Sequence, residues 1–351
     1  MKKAGEKLKD DQKQSLVHLF QAWCGEEASH FIAIPGSGSN RAYYRVLGSH
    51  HTAIGVINAD YRENRAFIHM TRFFRNERIA VPALLGEDLK RDVYLTEDLG
   101  DQTLFDLITQ NPDVKDVETQ TREMIREALR ELARIQVVAG RKMDFSICYP
   151  YPRFNRSSIA FDLHYFRDQF LEQTGLNYDK QQIEKDFEHL ASLILEADQE
   201  YFMYRDFQSR NIMVRQNQLY FIDYQGGRKG PLQYDLAAFL YQARARLPES
   251  FRDQMVEHYL KVARMLTPID ERAFRKYFYP IALLRILQTL GAYGLRGLKE
   301  KKEHFIQSIP YALKNLNNLH PRIPELKDLP ELQRIIHHMM YIKIPYNEAN
   351  Q

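Results

Sequence analysis

Asp206, Asn211 five residues later and Asp223 twelve beyond that form a set of oxygen-bearing side chains suited to phosphoryl transfer. They lie in Tyr204-Arg205-Asp206-Phe207-Gln208-Ser209-Arg210-Asn211, followed by the apolar Ile212-Met213-Val214 and by Phe221-Ile222-Asp223, the pattern of a strand, a turn and a strand. One carboxylate can orient an attacking hydroxyl and take its proton. An amide oxygen and a second carboxylate can hold the Mg²⁺ that neutralises the β- and γ-phosphates of ATP. Mg²⁺ prefers hard oxygen ligands and keeps several waters, so two protein ligands plus phosphate oxygens are enough. Asp and Asn also cap strand ends in ordinary turns. That reading covers any one of the three and fits poorly all three at this spacing.

The elements that must position these residues change character along the chain. Apolar spacing from Leu16 to Trp23 is helical, and Gly25 closes that helix. Residues 31–34, 43–47 and 52–57 read as strands, 62–76 as a helix, and 81–84 and 92–96 as two further strands. After Gly100 helical patterns dominate: 103–110, 116–138, 161–174 and 181–198, then from Tyr234 onward, interrupted by the strand pair around Asp206 and Asp223. The expectation is an α+β chain with a small β-rich lobe, residues 1–99, before a larger helical one, residues 100–351, joined at Glu97-Asp98-Leu99-Gly100. The aromatic and methionine content of the tail (Met339, Met340, Tyr341) predicts packing on the larger lobe.

Gly36-Ser37-Gly38 falls between two expected strands, where glycines let backbone N–H groups approach phosphates without Cβ interference. An ordinary hairpin loop explains an isolated match of this kind as well. No helix follows, so it is not a dinucleotide fingerprint, and no Gly-Lys-Ser/Thr closes it as a P-loop.

Composition narrows the class. At 351 residues the chain exceeds the usual single core, and 44% hydrophobic with 27% charged residues suits a globular protein. A net charge of +3 from 49 basic and 46 acidic residues is too weak to indicate nucleic acid. The two cysteines, Cys24 and Cys148, stand far apart and in no metal-ligand spacing, which argues for a reducing compartment and against a zinc site or disulfide framework. The charged N-terminus lacks the apolar run of a signal peptide, and no stretch reaches the roughly 20 apolar residues of a membrane span. A cytoplasmic location without membrane partners is expected.

Tyr204-Arg205-Asp206 through Asn211, Ile222-Asp223-Tyr224-Gln225 and Gly230-Pro231-x-x-Tyr234-Asp235-Leu236-Ala237 resemble the catalytic core of aminoglycoside-phosphotransferase-type small-molecule kinases. Leu95-Thr96-Glu97-Asp98-Leu99-Gly100-Asp101, the Arg-Asp-Phe-x-x-Arg-Asn loop and Leu284-Arg285 with Leu290-Gly291 narrow the resemblance to the anomeric kinases of N-acetylmuramate and N-acetylglucosamine. The resemblance spans roughly residues 16–320 and implies a bilobal protein-kinase-like fold, with ATP and Mg²⁺ as cofactors and a small molecule as acceptor. It also implies Asp206 as catalytic base, Asn211 and Asp223 as Mg²⁺ ligands, the backbone from Glu97 to Leu99 at adenine, and Gly36, Ser37 and Gly38 over the phosphates. Asp235 would brace the catalytic loop. Arg205 and Arg210 flank the base, Arg210 as a candidate for phosphate oxygens or as a solvated arginine.

Three departures from the family pattern stand out. Tyr204 occupies the place of a usual histidine. Residues 52–57 lack the strand lysine, so Arg41 and Arg45 become the candidates to neutralise the α- and β-phosphates, and Glu63 reads as a helix-start carboxylate. Gly226 and Gly227 stand where an acidic residue is expected. For acceptor recognition, residues 149–153, 161–165 and 225–229 supply aromatic and planar polar groups, although Tyr151, Tyr165 and Phe166 also suit a core, and Arg228 and Lys229 a solvated loop. Alternatives are an aminoglycoside or choline/amino-alcohol kinase, or a pseudokinase-like binding module. The Lys/Arg run at 295–302 is interrupted by Glu300 and reads as a solvated helix end rather than an adaptor surface.

Overall fold

Leu16 and Phe20 lie on one face of the first helix and are fully buried against Val46, Ala53, Val93 and Leu95 of a sheet. The computed structural model describes residues 9–35, 41–110, 117–339 and 341. Helix α1 (Asp10–Cys24) ends at Gly25, whose φ of 77° is left-handed and lets its N–H reach the Gln21 carbonyl at 2.8 Å. Strands β1 (His30–Ile34), β2 (Ala42–Leu47) and β3 (Thr52–Ile57) precede helix α2 (Tyr61–Asn76), and β4 (Leu84–Asp88) and β5 (Val93–Glu97) follow it. All five strands pair antiparallel in the order β1-β2-β3-β5-β4.

The remaining elements are mostly helical: α3 (Leu104–Thr109), α4 (Thr119–Ala133), α5 (Arg156–Gln169) and α6 (Lys180–Leu195). Short strands β6 (Tyr201–Met203), β7 (Ile212–Arg215), β8 (Gln218–Phe221) and β9 (Arg228–Gly230) then lead to α7 (Leu232–Leu240). Helices α8 (Glu249–Leu266), α9 (Glu271–Tyr293), α10 (Glu303–Ile306), α11 (Ile309–Leu319) and α12 (Pro330–Met339) complete the described chain. Among the described residues no helix is long and apolar enough to cross a membrane.

Two compact units result. The first comprises Met1–Leu104, Met143–Pro152 and Arg210–Gly227; the second comprises Phe105–Lys142, Arg153–Ser209 and Arg228–Gln351. The β7–β8 hairpin is hydrogen-bonded into the first unit: Val214 N–H donates to the Gln102 carbonyl at 2.9 Å and Phe221 N–H to that of Ala80 at 2.8 Å. In the second unit Asp186 of α6 caps α12 by accepting the N–H groups of Glu331 and Leu332, both at 2.8 Å. Leu332, Ile335, Ile336 and Met339 of α12 are buried there, while Met340 lies outside the described residues and Tyr341 is exposed rather than packed as expected.

Candidate active site

The expected site residues divide between the units: Arg41, Arg210, Asn211 and Asp223 stand in the first, Asp206 in the second. Gly36, Ser37 and Gly38 lie outside the described residues.

In the second unit, β6 pairs antiparallel with β9 and delivers the chain to Tyr204, which is buried. The Asp235 carboxylate then accepts two successive backbone N–H groups, those of Tyr204 and Arg205, each at 2.7 Å. Gln136 donates its side-chain amide to the same carboxylate at 2.7 Å, and the Tyr259 hydroxyl donates to Gln136 at 2.5 Å. Arg205 has a left-handed φ of 76°, a conformation costing a non-glycine residue on the order of 1–3 kcal/mol. Asp235 holds it. At the far end of the loop, Gln242 accepts both the N–H and the hydroxyl of Ser209, at 2.9 and 2.7 Å. Asp206 is therefore presented, half-buried, from a loop pinned at both ends.

Burial raises the Asp235 carboxyl to about 7, against the pull of its three N–H donors toward the ionised form. Burial likewise raises Asp162 on α5, although Arg205, Arg285 and Arg228 act on it in the opposite direction. Arg228 is fully buried on β9 rather than in a solvated loop, and burial together with Arg205 lowers it to about 10. Arg285 donates to the Tyr234 hydroxyl at 3.1 Å from inside α9. Lys229 ends on Glu200 at 2.5 Å, and His164 pairs with Glu184 at 2.8 Å. Of the acceptor candidates, Phe166 is core and Tyr151 is exposed.

In the first unit, helix α2 organises the site. Glu63, Phe67, Thr71 and Phe74 recur at helical spacing along it. The buried Tyr224 ring stacks on Phe67 at 5.3 Å and its hydroxyl meets that of Thr71 at 2.5 Å, which anchors the neighbouring Asp223. Asp223 itself has a left-handed φ of 68°. Its two oxygens accept from Asn211 Nδ2 at 3.3 Å and Gln225 Nε2 at 2.7 Å. Arg41, buried just before β2, donates to Glu63 at 2.5 Å and reaches Asp223 at 3.4 Å. Burial opposes the Arg41 charge, but Tyr43, Tyr94 and Glu63 outweigh it and hold the group above its ordinary pKa.

Glu63 is thus more than the helix-start carboxylate expected of it: it takes Arg41 on one oxygen and the Asn58 amide on the other at 2.8 Å. Arg45 does not join this group. Its guanidinium lies between Asp101 at 2.7 Å and Asp98 at 3.2 Å. Arg210 is exposed beside Asn211. The Glu97 carboxylate accepts from Arg215 at 2.9 Å and from the Ala83 N–H at 3.2 Å, and Leu99 is buried. Gln136 and Gln242 carried no sequence signal, because a buried glutamine that orients a carboxylate or closes a loop has no fixed spacing from its partner.

A family model described as the phosphotransferase enzyme family (APH) matches residues 30–276. The chain belongs to that family. It is a small-molecule kinase with the α+β, protein-kinase-like architecture expected from its sequence. The N-acetylmuramate/N-acetylglucosamine kinase of Pseudomonas putida is 23% identical over 329 residues, covering 91% of this chain and 92% of that protein. The kinase of the same name from Neisseria meningitidis serogroup B is 23% identical over 297 residues, covering 82% and 85%. Among solved structures, spectinomycin phosphotransferase in complex with ADP and spectinomycin superposes with a TM-score of 0.59 at 14% identity, covering 86% of this phosphotransferase and 93% of that chain.

Proposed function

We propose that this kinase transfers the γ-phosphate of ATP to a hydroxyl of an N-acetylated amino sugar, with Asp206 as the base. The observation that carries this reading is the pinned loop: Asp235 and Gln242 fix the backbone on either side of one half-buried carboxylate. Such preorganisation is what phosphoryl transfer requires, since its catalysis is mainly positioning and charge neutralisation.

Asp206 accepts the proton of the sugar hydroxyl as its oxygen bonds to the γ-phosphorus. The bond from that phosphorus to the bridging oxygen breaks, and ADP leaves. Arg41, braced by Glu63, supplies the positive charge that a strand lysine gives elsewhere in the superfamily. The backbone from Glu97 to Leu99 contacts adenine. Asn211 and Asp223 offer the hard oxygen donors that fit Mg²⁺, and the ion when bound neutralises charge on the β- and γ-phosphates. The relatives' names support N-acetylmuramate and N-acetylglucosamine as acceptors. Arg228, buried next to Arg205 and Asp162, adds positive charge that favours the acidic N-acetylmuramate.

The test is Mg-ATP-dependent ADP release with N-acetylmuramate, N-acetylglucosamine, spectinomycin and choline. The two sugars should be the substrates and N-acetylmuramate the better one. Turnover confined to spectinomycin or choline would overturn the sugar assignment.

A further inference from the structure

On several helical segments among the described residues an arginine pairs with a glutamate one turn away. Arg126 pairs with Glu123, Arg134 with Glu131, Arg275 with Glu271, Arg296 with Glu300 and Arg334 with Glu331. Helix α2 departs from this habit. Arg62, Arg65, His69 and Arg72 follow one another at spacings of three and four, all exposed, so that the three arginine charges share one stripe. Arg72 reaches across to Glu87 at 3.0 Å. Arg62 instead lies over the Tyr149 ring at 5.6 Å and Arg65 over the Tyr61 ring at 5.9 Å. Asp60, at the head of the helix, is occupied: it caps α2 through the N–H groups of Arg62 and Glu63 and accepts the Tyr149 hydroxyl.

The stripe also faces a cavity. A hollow of about 390 Å³ lies between these side chains and the segment Ser146, Ile147, Cys148 and Tyr149, all within the first unit. Its volume falls within the usual range for small-molecule sites. Guanidinium forks match phosphate oxygens in geometry and charge, and they carry the recognition, since the Tyr149 hydroxyl is given to Asp60 and the Ser146 hydroxyl to Asp144. We propose that this outer face of α2 is a second ligand site, which takes a small phosphate monoester between Arg62, Arg65 and the Ser146–Tyr149 segment. The same helix carries Glu63 and the Phe67 and Thr71 contacts to Tyr224 on its far side, so occupancy bears on Arg41 and Asp223 through one rigid element. That consequence rests on the proposed kinase function; the binding does not.

The test uses isothermal titration of glucose 1-phosphate and of AMP into three full-length proteins: wild type, the double variant Arg62→Gln/Arg65→Gln, and Asp223→Asn, each checked for native circular dichroism. Either probe should bind wild type and Asp223→Asn alike, and at least about tenfold more weakly to the double variant, since each charge-assisted pair is strong. Binding by glucose 1-phosphate alone assigns a sugar phosphate, and by AMP alone a nucleotide. Equal affinity in the double variant, loss only in Asp223→Asn, or no binding by either probe overturns the proposal.

Discussion

The Asp235 carboxylate accepts the backbone N–H of Arg205 at 2.7 Å, at the residue whose left-handed φ of 76° sets the direction of the chain into Asp206. A buried carboxylate is expensive unless its oxygens are satisfied, and three N–H donors satisfy this one. The strain at Arg205 and the burial of Asp235 are two halves of one device for aiming a side chain.

Asp235→Asn should therefore damage the loop. One oxygen becomes an NH₂ that faces a backbone donor, leaving a buried pair unmatched at a cost of about 1–3 kcal/mol. Urea denaturation should show that loss, and kcat should fall further than the stability change explains, with KM for ATP little altered. Unchanged kcat would show that the loop does not depend on Asp235.

Arg41→Met should lower kcat/KM for ATP by about ten- to a hundredfold, the worth of one charge-assisted interaction with phosphate. Glu63→Gln keeps a hydrogen-bond acceptor for Arg41 and should cost less. Steady-state kinetics at varied Mg-ATP separate the two, and Arg41→Met with wild-type kinetics would remove Arg41 from phosphate binding.

Much of this arrangement was legible beforehand. Residues 52–57 read as a strand because their apolar run is bounded by turn residues, and β3 has those limits. Gly25 was expected to end α1 and does so. The next strand differs: 81–84 reads as extended, yet β4 begins at Leu84. Pro82 has no N–H for a ladder, so Val81 is buried in irregular backbone instead. Helix α5 starts at Arg156 rather than 161, because Asn155 caps it by accepting the Ser158 N–H at 3.0 Å, a local signal that the apolar period does not contain. At the candidate site, Asp206 and Asp223 could be read from spacing, whereas the Arg41–Glu63 pair joins residues on separate elements.

Gly291 on α9 has the Tyr165 ring and the Phe166 N–H where a Cβ would stand, at 2.8 and 3.0 Å. Gly291→Ala should overpack the α5–α9 contact and destabilise by about 1–3 kcal/mol, read as a fall in Tm of several degrees. An unchanged Tm would show that the two helices can part without cost.

Glu26 accepts the N–H groups of His50 and His51 at the β2–β3 turn and pairs with the His51 ring at 2.8 Å. Chiefly the His50 N–H, then the His51 ring, holds its carboxyl near 2 instead of 4.5. A depressed folded pKa contributes stability above the unfolded value and loses it as pH falls. The advantage of wild type over Glu26→Gln in urea midpoint should be full above about pH 5 and shrink steadily as pH drops toward 2. A constant difference would mean that the charge of Glu26 is not what holds the turn.

The most direct test of the account is the single-turnover rate of Asp206→Ala with saturating Mg-ATP and N-acetylmuramate. The predicted result is a native fold, ATP affinity close to wild type and a phosphorylation rate lower by about 10²–10⁴. A variant that folds, binds ATP and still transfers phosphate at the wild-type rate would contradict the assignment of Asp206 as the base.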